Sequence, residues 1–557
     1  MSDLTKQLLS GQAALERGEF PQALGLFSTL TRSAPQSVGA WCGYAAALYG
    51  VSHFQKALAA AKEAVRLGPS DSRAFLVLAP PAFVLNSKIA IEACRDFLRI
   101  LPRDEAEALA HFWSKRLIEK DHFAEAATAF SLFALSNMDD EITALELANH
   151  YLNAHKLDKV EEILDDVVEK FGDGPTVHAM TARIEITRGN SEAAKSAALK
   201  AIELNARAIP AYVILSELDP RLIDASIQNR LSAVLRDESL PAEMRVGGYR
   251  TLGRVFEKRG DIDAAFAAFA AAKSLAKENT HDAGRAYNPT QIERRTRIVA
   301  ARYPSVIVES DDKHRRPLSV FIIGMPRSGS TLVDQIISRH SRAISIGESS
   351  NILQIANWID RKAKASGRTY RSCVADIREH YRSVYSEAAQ GAACIIDKNL
   401  FNFERCGLIA DLDPQARFIL TLRDPADIAL SIFRTKFLAA HEWSHDLRDI
   451  AHMQATFEFL TGHWRRILGD RIHVVKHEEL VADFEPGVRA LLDFCGLDFE
   501  PQCLEFHKGD RKVFTTSAAQ VRRPVNAEGV GRWRRYEKHL APYFEGLEEF
   551  RRRYAQG

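Results

Sequence analysis

The chain has 557 residues, of which 46% are hydrophobic and 26% are charged, and its formal charge is +1. A domain with a single hydrophobic core is usually shorter than this, so we expect two or more domains in a soluble, globular protein. The near balance of acidic and basic residues excludes a general electrostatic attraction to nucleic acid or acidic membranes, so any basic site must be local.

The cysteines and the apolar runs indicate the compartment. Seven cysteines are scattered along the chain without a C-x-x-C pair, a pattern that favours a reducing compartment over a disulfide framework. The opening segment, MSDLTKQLLSGQAALERGEF, lacks the continuous apolar stretch of a signal peptide. No apolar run reaches the length of about 18 residues that crosses a bilayer. We therefore expect a cytoplasmic protein without membrane or nucleic-acid partners.

The first half of the chain repeats with a period of 34 residues. The segments GEFPQALGLF and SHFQKALAAA place Phe20 and Phe54 at this spacing, and later segments continue it with Ala126, Val160 and Ala194. A period of this length, with small residues where two helices cross, resembles the tetratricopeptide (TPR) repeat. The resemblance implies an all-α solenoid over residues 1–278, because one repeat buries its apolar face only against its neighbours. We expect its concave surface to bind a protein or peptide; the alternative is a spacer.

The pattern changes after residue 278. Residues 279–317 are interpreted as a connecting helix and a polar linker that ends in a proline. Over residues 318–557, helical patterns alternate with candidate strands at 318–323, 393–396, 417–422 and 472–475. Helices between strands indicate crossover connections, and therefore an α/β domain with a central parallel sheet. Ligands of such sheets bind beyond the carboxyl ends of the strands.

The first candidate strand is followed by GMPRSGST, which is typical of a phosphate-binding loop. Gly324 and Gly329 permit backbone conformations that side chains would block. Consecutive backbone N–H groups and the start of a helix suit an anion, and Arg327 adds a planar fork for its oxygens. Ser330 stands where ATP- and GTP-binding loops carry lysine, which counts against triphosphate chemistry on magnesium. The alternative is an ordinary strand-to-helix turn.

A second strand–turn–helix segment, RFILTLRDPADIALSIFRTKF, places Arg423 at a strand end and Ser431 eight residues later. The two segments together resemble the sulfotransferase superfamily, which implies metal-free sulfuryl transfer from 3′-phosphoadenosine 5′-phosphosulfate (PAPS). The resemblance assigns the 3′-phosphate of PAPS to Arg423 and Ser431. It assigns the phosphosulfate to the loop residues Arg327, Ser328, Gly329, Ser330 and Thr331.

Further segments are similar to tyrosylprotein sulfotransferases and to bacterial TPR-linked sulfotransferases. In SIGESSNI, the resemblance makes Glu348 the general base that takes the proton of the acceptor. In IIDKNLFNF, it makes Lys398 the lysine that stabilises charge in the transition state, together with Arg327. A helix-start acid and a strand-end surface lysine are the alternative interpretations of Glu348 and Lys398.

The segment TTSAAQVRRPVNAEGVGRW matches the C-terminal donor-binding segment of those enzymes. The residues that the resemblance assigns to PAPS there are Ser517, Asn526 and Arg532, the last standing where a lysine is common. In VVKHEELV, His477 stands where the tyrosylprotein enzymes carry a tyrosine. The likeness therefore extends over most of residues 318–540.

The resemblance implies an acceptor hydroxyl, and tyrosine in a protein or peptide is the first expectation. A glycan, a lipid or a small phenol is the alternative acceptor. Two other functions stay open: a nucleotide kinase that uses the loop for ATP, and a non-catalytic TPR adaptor. The H-E-x-x-H pattern at residues 441–445 is a zinc signature, but it lacks a clear third ligand, so we expect no metal.

Overall fold

The computed structural model describes residues 3–17, 19–51, 53–118, 122–282, 286–305, 317–437, 441–508 and 525–556. By their contacts, the residues form two compact units, Met1–Glu238 and Ser239–Gly557. The domain bounds predicted from the sequence stay a prediction, and the division by contacts falls earlier than residue 278. Among the described residues, no helix combines the length and the apolar character needed to cross a membrane.

The described part of the first unit is helical. Its α-helices are α1 (Asp3–Glu16), α2 (Phe20–Ser33), α3 (Val38–Gly50), α4 (Phe54–Leu67), α5 (Ser72–Val84), α6 (Lys88–Ile100), α7 (Arg103–Ile118), α8 (Phe123–Ala134), α9 (Glu141–Asn153), α10 (Leu157–Phe171), α11 (Pro175–Arg188), α12 (Ser191–Leu204), α13 (Ile209–Leu218) and α14 (Ala225–Val234). Asp71 and Asp140 begin α5 and α9 as N-caps, because their carboxylates accept hydrogen bonds from backbone N–H groups of the first turn.

The repeated positions of the first unit lie where helices meet. Successive helices pack against each other along the chain. Ala126, Val160 and Ala194 are at most 1% exposed. Small side chains at such positions let two helix backbones approach closely. The predicted all-α repeat architecture is confirmed.

The second unit begins with three helices and continues as an α/β domain. Its elements are α15 (Ala242–Arg259), α16 (Ile262–Asp282), α17 (Pro289–Arg302), β1 (Leu318–Gly324), α18 (Ser330–Ser338), β2 (Ala343–Ser345), α19 (Asn351–Ser366), α20 (Arg378–Ala389), β3 (Cys394–Asp397), α21 (Cys406–Leu412), β4 (Arg417–Leu422), α22 (Pro425–Arg434), α23 (Leu447–Leu468), β5 (Ile472–Lys476), α24 (His477–Ala482), α25 (Phe484–Phe494) and α26 (Ala541–Ala555). The four predicted strands are present as β1, β3, β4 and β5, and β2 is an additional strand.

The strands form one parallel sheet in the order β2-β3-β1-β4-β5. After β1 the chain builds the β2–β3 side, and it then returns to add β4 and β5 on the other side of β1. The strand order therefore reverses between β1 and β4, which are direct neighbours with Gly324 opposite Thr421. Open α/β sheets bind ligands in the crevice outside such a reversal.

The central strand β1 is buried on both faces. Phe321 and Ile323 join the hydrophobic core on one side of the sheet, while Val320 and Ile322 join the core on the other side. All four side chains are 0% exposed. Burial on two faces explains the uninterrupted apolar run in the sequence, and it anchors the end of β1 from which the predicted phosphate loop begins.

Candidate active site

The loop between β1 and α18 depends on two glycines. A Cβ added to Gly324 would lie 2.3 Å from Thr421 Oγ1 and 2.9 Å from Ser328 Oγ, so a side chain is excluded there. The Ser328 and Thr421 hydroxyls are 2.7 Å apart, which ties the loop to β4. Gly329 has a φ of +95°, and a Cβ added to it would lie 2.7 Å from His477 Nδ1. Both glycines therefore permit a backbone path that a side chain would block.

The loop leads directly into the first turn of α18. Gly329 is the N-cap of this helix, and Ser330 and Thr331 are its first residues. The hydroxyl-bearing side chains of Ser330 and Thr331 are buried. The first turn of a helix has N–H groups without partners inside the helix, and these groups favour an anion.

Arg327 joins the two segments that the sequence singles out. Its backbone has a φ of +73°, a conformation that costs a non-glycine residue about 1–3 kcal/mol and is found mainly at functional sites. Arg327 Nε donates a hydrogen bond of 2.9 Å to Ser431 Oγ on α22. Arg423 Nη1 donates one of 3.3 Å to the Arg327 carbonyl oxygen. The loop after β1 and the helix after β4 are thus linked by side chains across the crevice.

Four arginines lie close enough in this crevice to influence one another. Burial, together with the positive charges of Arg423, Arg434 and Arg532, lowers the pKa of Arg327 to about 10. Burial also lowers the pKa of Arg423 and of Arg434. The Nε atoms of Arg423 and Arg434 are buried without a hydrogen-bond partner among the described residues. We call these residues the arginine cluster, and its charge and its orphaned donors fit a phosphate group.

The segment after residue 524 closes one side of the arginine cluster. Arg423 Nη2 donates to the Gly529 carbonyl oxygen. Asp427 on α22 accepts hydrogen bonds from the backbone N–H groups of Gly531, at 2.6 Å, and Trp533, at 2.9 Å. Asp427 is 2% exposed, and these two bonds place the backbone around Arg532 beside α22. Sequence reasoning missed Asp427, whose acidic position at a helix start has a sufficient local explanation.

The structure describes two of the three residues that the sequence predicts for donor binding in this segment. The Asn526 side chain accepts a hydrogen bond of 3.2 Å from the Glu528 backbone N–H and is exposed. Arg532 Nη2 donates to the Glu528 carbonyl oxygen at 3.2 Å. Ser517 lies outside the described residues.

Glu348 and Lys398 meet at the carboxyl ends of β2 and β3. Lys398 Nζ donates a hydrogen bond to Glu348 Oε1. The Lys398 side chain is 3% exposed, whereas 57% of the Glu348 side chain is exposed. The Lys398 backbone N–H also donates to the Gly347 carbonyl oxygen at 2.8 Å. A buried cation and an accessible carboxylate are therefore held side by side.

Asp397 supports the turn that carries Lys398. Its Oδ1 accepts hydrogen bonds from the Asn399 backbone N–H at 3.0 Å and from Asn402 Nδ2 at 3.2 Å. Its Oδ2 accepts a hydrogen bond of 2.7 Å from the Tyr385 hydroxyl. Burial raises the pKa of Asp397 to about 7, although the hydrogen bonds from Tyr385 and Asn399 and the charge of Lys398 act in the opposite direction. Sequence reasoning missed this residue, although an Asp at a strand end before Lys-Asn is a signal for a side-chain-capped turn.

The sheet order brings the predicted site residues into two neighbouring groups. One group lies at β1 and β4 and consists of the loop residues with Arg423, Ser431 and Arg532. The other group is the Glu348–Lys398 pair at β2 and β3. Because β3 is the direct neighbour of β1, both groups lie along one edge of the sheet.

The H-E-x-x-H pattern forms a different structure from the one that its zinc interpretation needs. Glu442–His445 is a 3-10 turn rather than part of an α-helix. His441 stacks on Phe401 with ring centroids 5.2 Å apart. Burial lowers the pKa of His441, while the carboxylates of Glu442 and Glu348 act in the opposite direction. An aromatic contact near Glu348 thus explains His441 in structural terms.

Two family models match the chain. The model described as the sulfotransferase family matches residues 317–501, which include the loop, Glu348, Lys398 and Arg423. The model described as the tetratricopeptide repeat matches residues 8–72. The segment that carries Asn526 and Arg532 lies beyond the first of these matches.

Two relatives illustrate how far the similarity extends. An uncharacterized protein of Aquifex aeolicus (strain VF5) is 30% identical over 387 residues, which cover 67% of this chain and 49% of that protein. Protein-tyrosine sulfotransferase 2 of Gallus gallus is 23% identical over 232 residues, which cover 38% of this chain and 62% of that protein. The chain therefore spans about half of the first relative and less than two thirds of the second.

Among solved structures, the sulfotransferase domain from the Synechococcus PCC 7002 olefin synthase is 20% identical to this chain. The match covers 43% of this chain and 97% of that domain, with a TM-score of 0.31. The chain thus combines a segment that matches the tetratricopeptide repeat, residues 8–72, with a later domain that matches the sulfotransferase family over residues 317–501.

Proposed function

We propose that the protein transfers a sulfuryl group from PAPS to an acceptor hydroxyl. The observation that supports this most is the linkage of the two anion-binding segments: Arg327 bonds Ser431, and Arg423 bonds the Arg327 backbone. A ligand with two separate phosphate groups suits two such segments beside one crevice. The absence of the loop lysine is consistent with a donor that needs no magnesium.

The residues at β1 and β4 bind and orient the donor. The N–H groups of the loop and of the first turn of α18 hold the phosphosulfate end, with the hydroxyls of Ser330 and Thr331 as further donors. Arg423 and Ser431 hold the 3′-phosphate. When bound, PAPS supplies the sulfuryl group and a stable bisphosphate leaving group.

The residues at β2 and β3 serve the acceptor side of the reaction. Glu348 accepts the proton of the attacking hydroxyl, since its carboxylate is accessible from solvent. Lys398 Nζ is fixed beside it by the Asp397 turn and stabilises the negative charge that develops on the transferred group and the leaving oxygen. Arg327 contributes to the same stabilisation. Positioning and charge stabilisation thus supply most of the catalysis.

Tyrosine in a protein or peptide is our proposed acceptor. The Gallus gallus relative is named a protein-tyrosine sulfotransferase, and tetratricopeptide repeats offer a surface suited to a peptide. Transfer to a glycan, a lipid or a small phenol is the alternative outcome. Mass analysis of the labelled acceptor distinguishes these classes directly.

We also propose a cytoplasmic location. All seven cysteines are buried as free thiols, and burial raises the pKa of Cys42 to about 12, so that it stays protonated. A chain that uses no disulfide suits a reducing compartment. Recovery of the native protein outside the cytoplasmic fraction would contradict this location.

Calorimetry with adenosine 3′,5′-bisphosphate tests the donor assignment. We expect the wild-type protein to bind this desulfated product at least about tenfold more tightly than ATP with magnesium, because only the bisphosphate carries a 3′-phosphate for Arg423 and Ser431. Preferred binding of ATP would favour a nucleotide kinase instead. Binding of neither nucleotide would contradict the donor assignment, and binding without any sulfate transfer would favour the adaptor interpretation.

A further inference from the structure

The helical hairpin α15–α16 packs against two chain segments beside the arginine cluster, the end of α22 and the 3-10 turn Arg532–His539. Lys273 Nζ on α16 donates to the Thr435 carbonyl oxygen at 2.9 Å, directly after α22. Phe266 stacks on Phe433 at the end of α22, with ring centroids 5.3 Å apart. Asp263 lies 2.8 Å from Lys538 in the 3-10 turn Arg532–His539. The hairpin is therefore a structural part of the unit that contains the candidate active site.

One carboxylate of this hairpin reaches the cluster itself. Glu257 on α15 accepts a hydrogen bond from Arg434 Nη2 through Oε2. Its Oε1 accepts one of 2.8 Å from the Tyr536 hydroxyl. The Glu257 and Arg434 side chains are only 13% and 18% exposed. Water screens charges at this depth only weakly. The negative charge of Glu257 therefore acts on the neighbouring arginines.

Glu257 offsets part of the positive charge of the arginine cluster. Arg434 is among the cations that lower the pKa of Arg327. Burial lowers the pKa of Arg434, and Glu257 acts in the opposite direction. A bound phosphate brings negative charge to the same arginines. Two anions that stabilise one set of cations each gain less in the presence of the other, which is an unfavourable coupling between them.

We propose that Glu257 is an internal counter-ion of the arginine cluster, which lowers the affinity for the adenosine bisphosphate and so permits its release after transfer. This inference rests on the proposed function, and it makes Glu257 a positioning residue that acts through Arg434. If Glu257 only stabilised the local structure, removing its charge would lower the affinity for the bisphosphate, because a loosened pocket binds its ligand more weakly.

The test compares wild type, Glu257→Gln and Asp263→Asn by calorimetry with adenosine 3′,5′-bisphosphate. Glutamine keeps the size and a hydrogen-bond acceptor but removes the charge. We expect Glu257→Gln to bind the bisphosphate roughly tenfold more tightly than wild type, and to melt at a lower temperature without ligand, since Arg434 is left buried and unpaired. Asp263→Asn is the matched control: it removes an exposed ion pair of the same hairpin, and we expect wild-type affinity.

A second background keeps the proposal testable if Glu257→Gln folds poorly. In Arg434→Gln, the additional change Glu257→Gln is expected to leave the bisphosphate affinity unchanged within about twofold, because the effect passes through Arg434. Unchanged or weaker binding by Glu257→Gln, or an equal gain without Arg434, would overturn the counter-ion role. If wild type binds no bisphosphate, the proposed function fails and this inference with it; if wild type binds and only the variant disagrees, the inference alone fails.

Discussion

Replacing Arg423 by methionine is expected to weaken the binding of adenosine 3′,5′-bisphosphate by roughly two orders of magnitude. Arg423 is a half-buried cation at the carboxyl end of β4, and its guanidinium holds the backbone at Arg327 and at Gly529. Its loss removes the charged partner that we propose for the 3′-phosphate, and it removes two hydrogen bonds to the backbone beside the crevice. Methionine retains much of the apolar stem, so the change acts mainly on the charge and the hydrogen bonds.

A comparison of two nucleotides separates the loss of the Arg423 charge from the loss of its backbone contacts. Adenosine 5′-monophosphate lacks the 3′-phosphate, so we expect its binding to change by less than about tenfold in Arg423→Met. Arg465→Gln is the matched control. Arg423 and Arg465 both line a cavity of about 440 Å³, and Arg465 is exposed. An equal loss for both nucleotides would remove Arg423 from the 3′-phosphate and leave it a structural role.

Replacing Lys398 by methionine is expected to lower kcat by about 10²- to 10³-fold while the bisphosphate affinity stays near that of wild type. The Lys398 side chain is buried and its Nζ pairs with Glu348, the place where the proposed mechanism develops negative charge. The remaining Glu348 carboxylate is largely exposed, so water solvates it after the change, and we expect the fold to persist.

The separation of kcat from affinity is the decisive readout for Lys398. A group that acts only in the transition state lowers kcat and kcat/KM together, with little effect on ground-state binding. Lys362→Met is the matched control, since Lys362 is a partly exposed lysine of α19 whose ion-pair partner is Asp376 rather than Glu348. A parallel loss of bisphosphate binding in Lys398→Met would show that the lysine binds the donor rather than the transition state.

Much of the fold follows from local sequence patterns. The apolar run of β1 reflects burial of neighbouring residues in one strand. The 34-residue period reflects burial of the same few positions in successive helical repeats. The strand β2 was missed because Ala343–Ser345 is three residues long and only half-buried, too short for a period-2 pattern. The hairpin α15–α16 lies within the predicted repeat region 1–278, and local patterns give no sign of its long-range contacts through Phe266 and Asp263.

The sequence singles out Arg327, Glu348, Lys398 and Arg423 one by one, but it does not give their pairings, and it gives no signal for the role of Asp427. The segment GMPRSGST is informative alone because a loop after a buried strand needs glycines for its own backbone. The bond from Arg327 to Ser431 depends on β4 lying beside β1, and the pairing of Glu348 with Lys398 depends on β2 lying beside β3. Glu257 meets a partner 177 positions away in the sequence, a contact that no local pattern encodes.

The most direct test measures sulfate transfer from radiolabelled PAPS to acceptors in a cell lysate, with Glu348→Gln as the matched variant. We expect wild type to label an acceptor without added metal, and Glu348→Gln to retain bisphosphate binding while its transfer rate falls by about 10²-fold or more. No transfer by a wild-type protein that binds the bisphosphate, or undiminished transfer by Glu348→Gln, would contradict the catalytic arrangement proposed for this site.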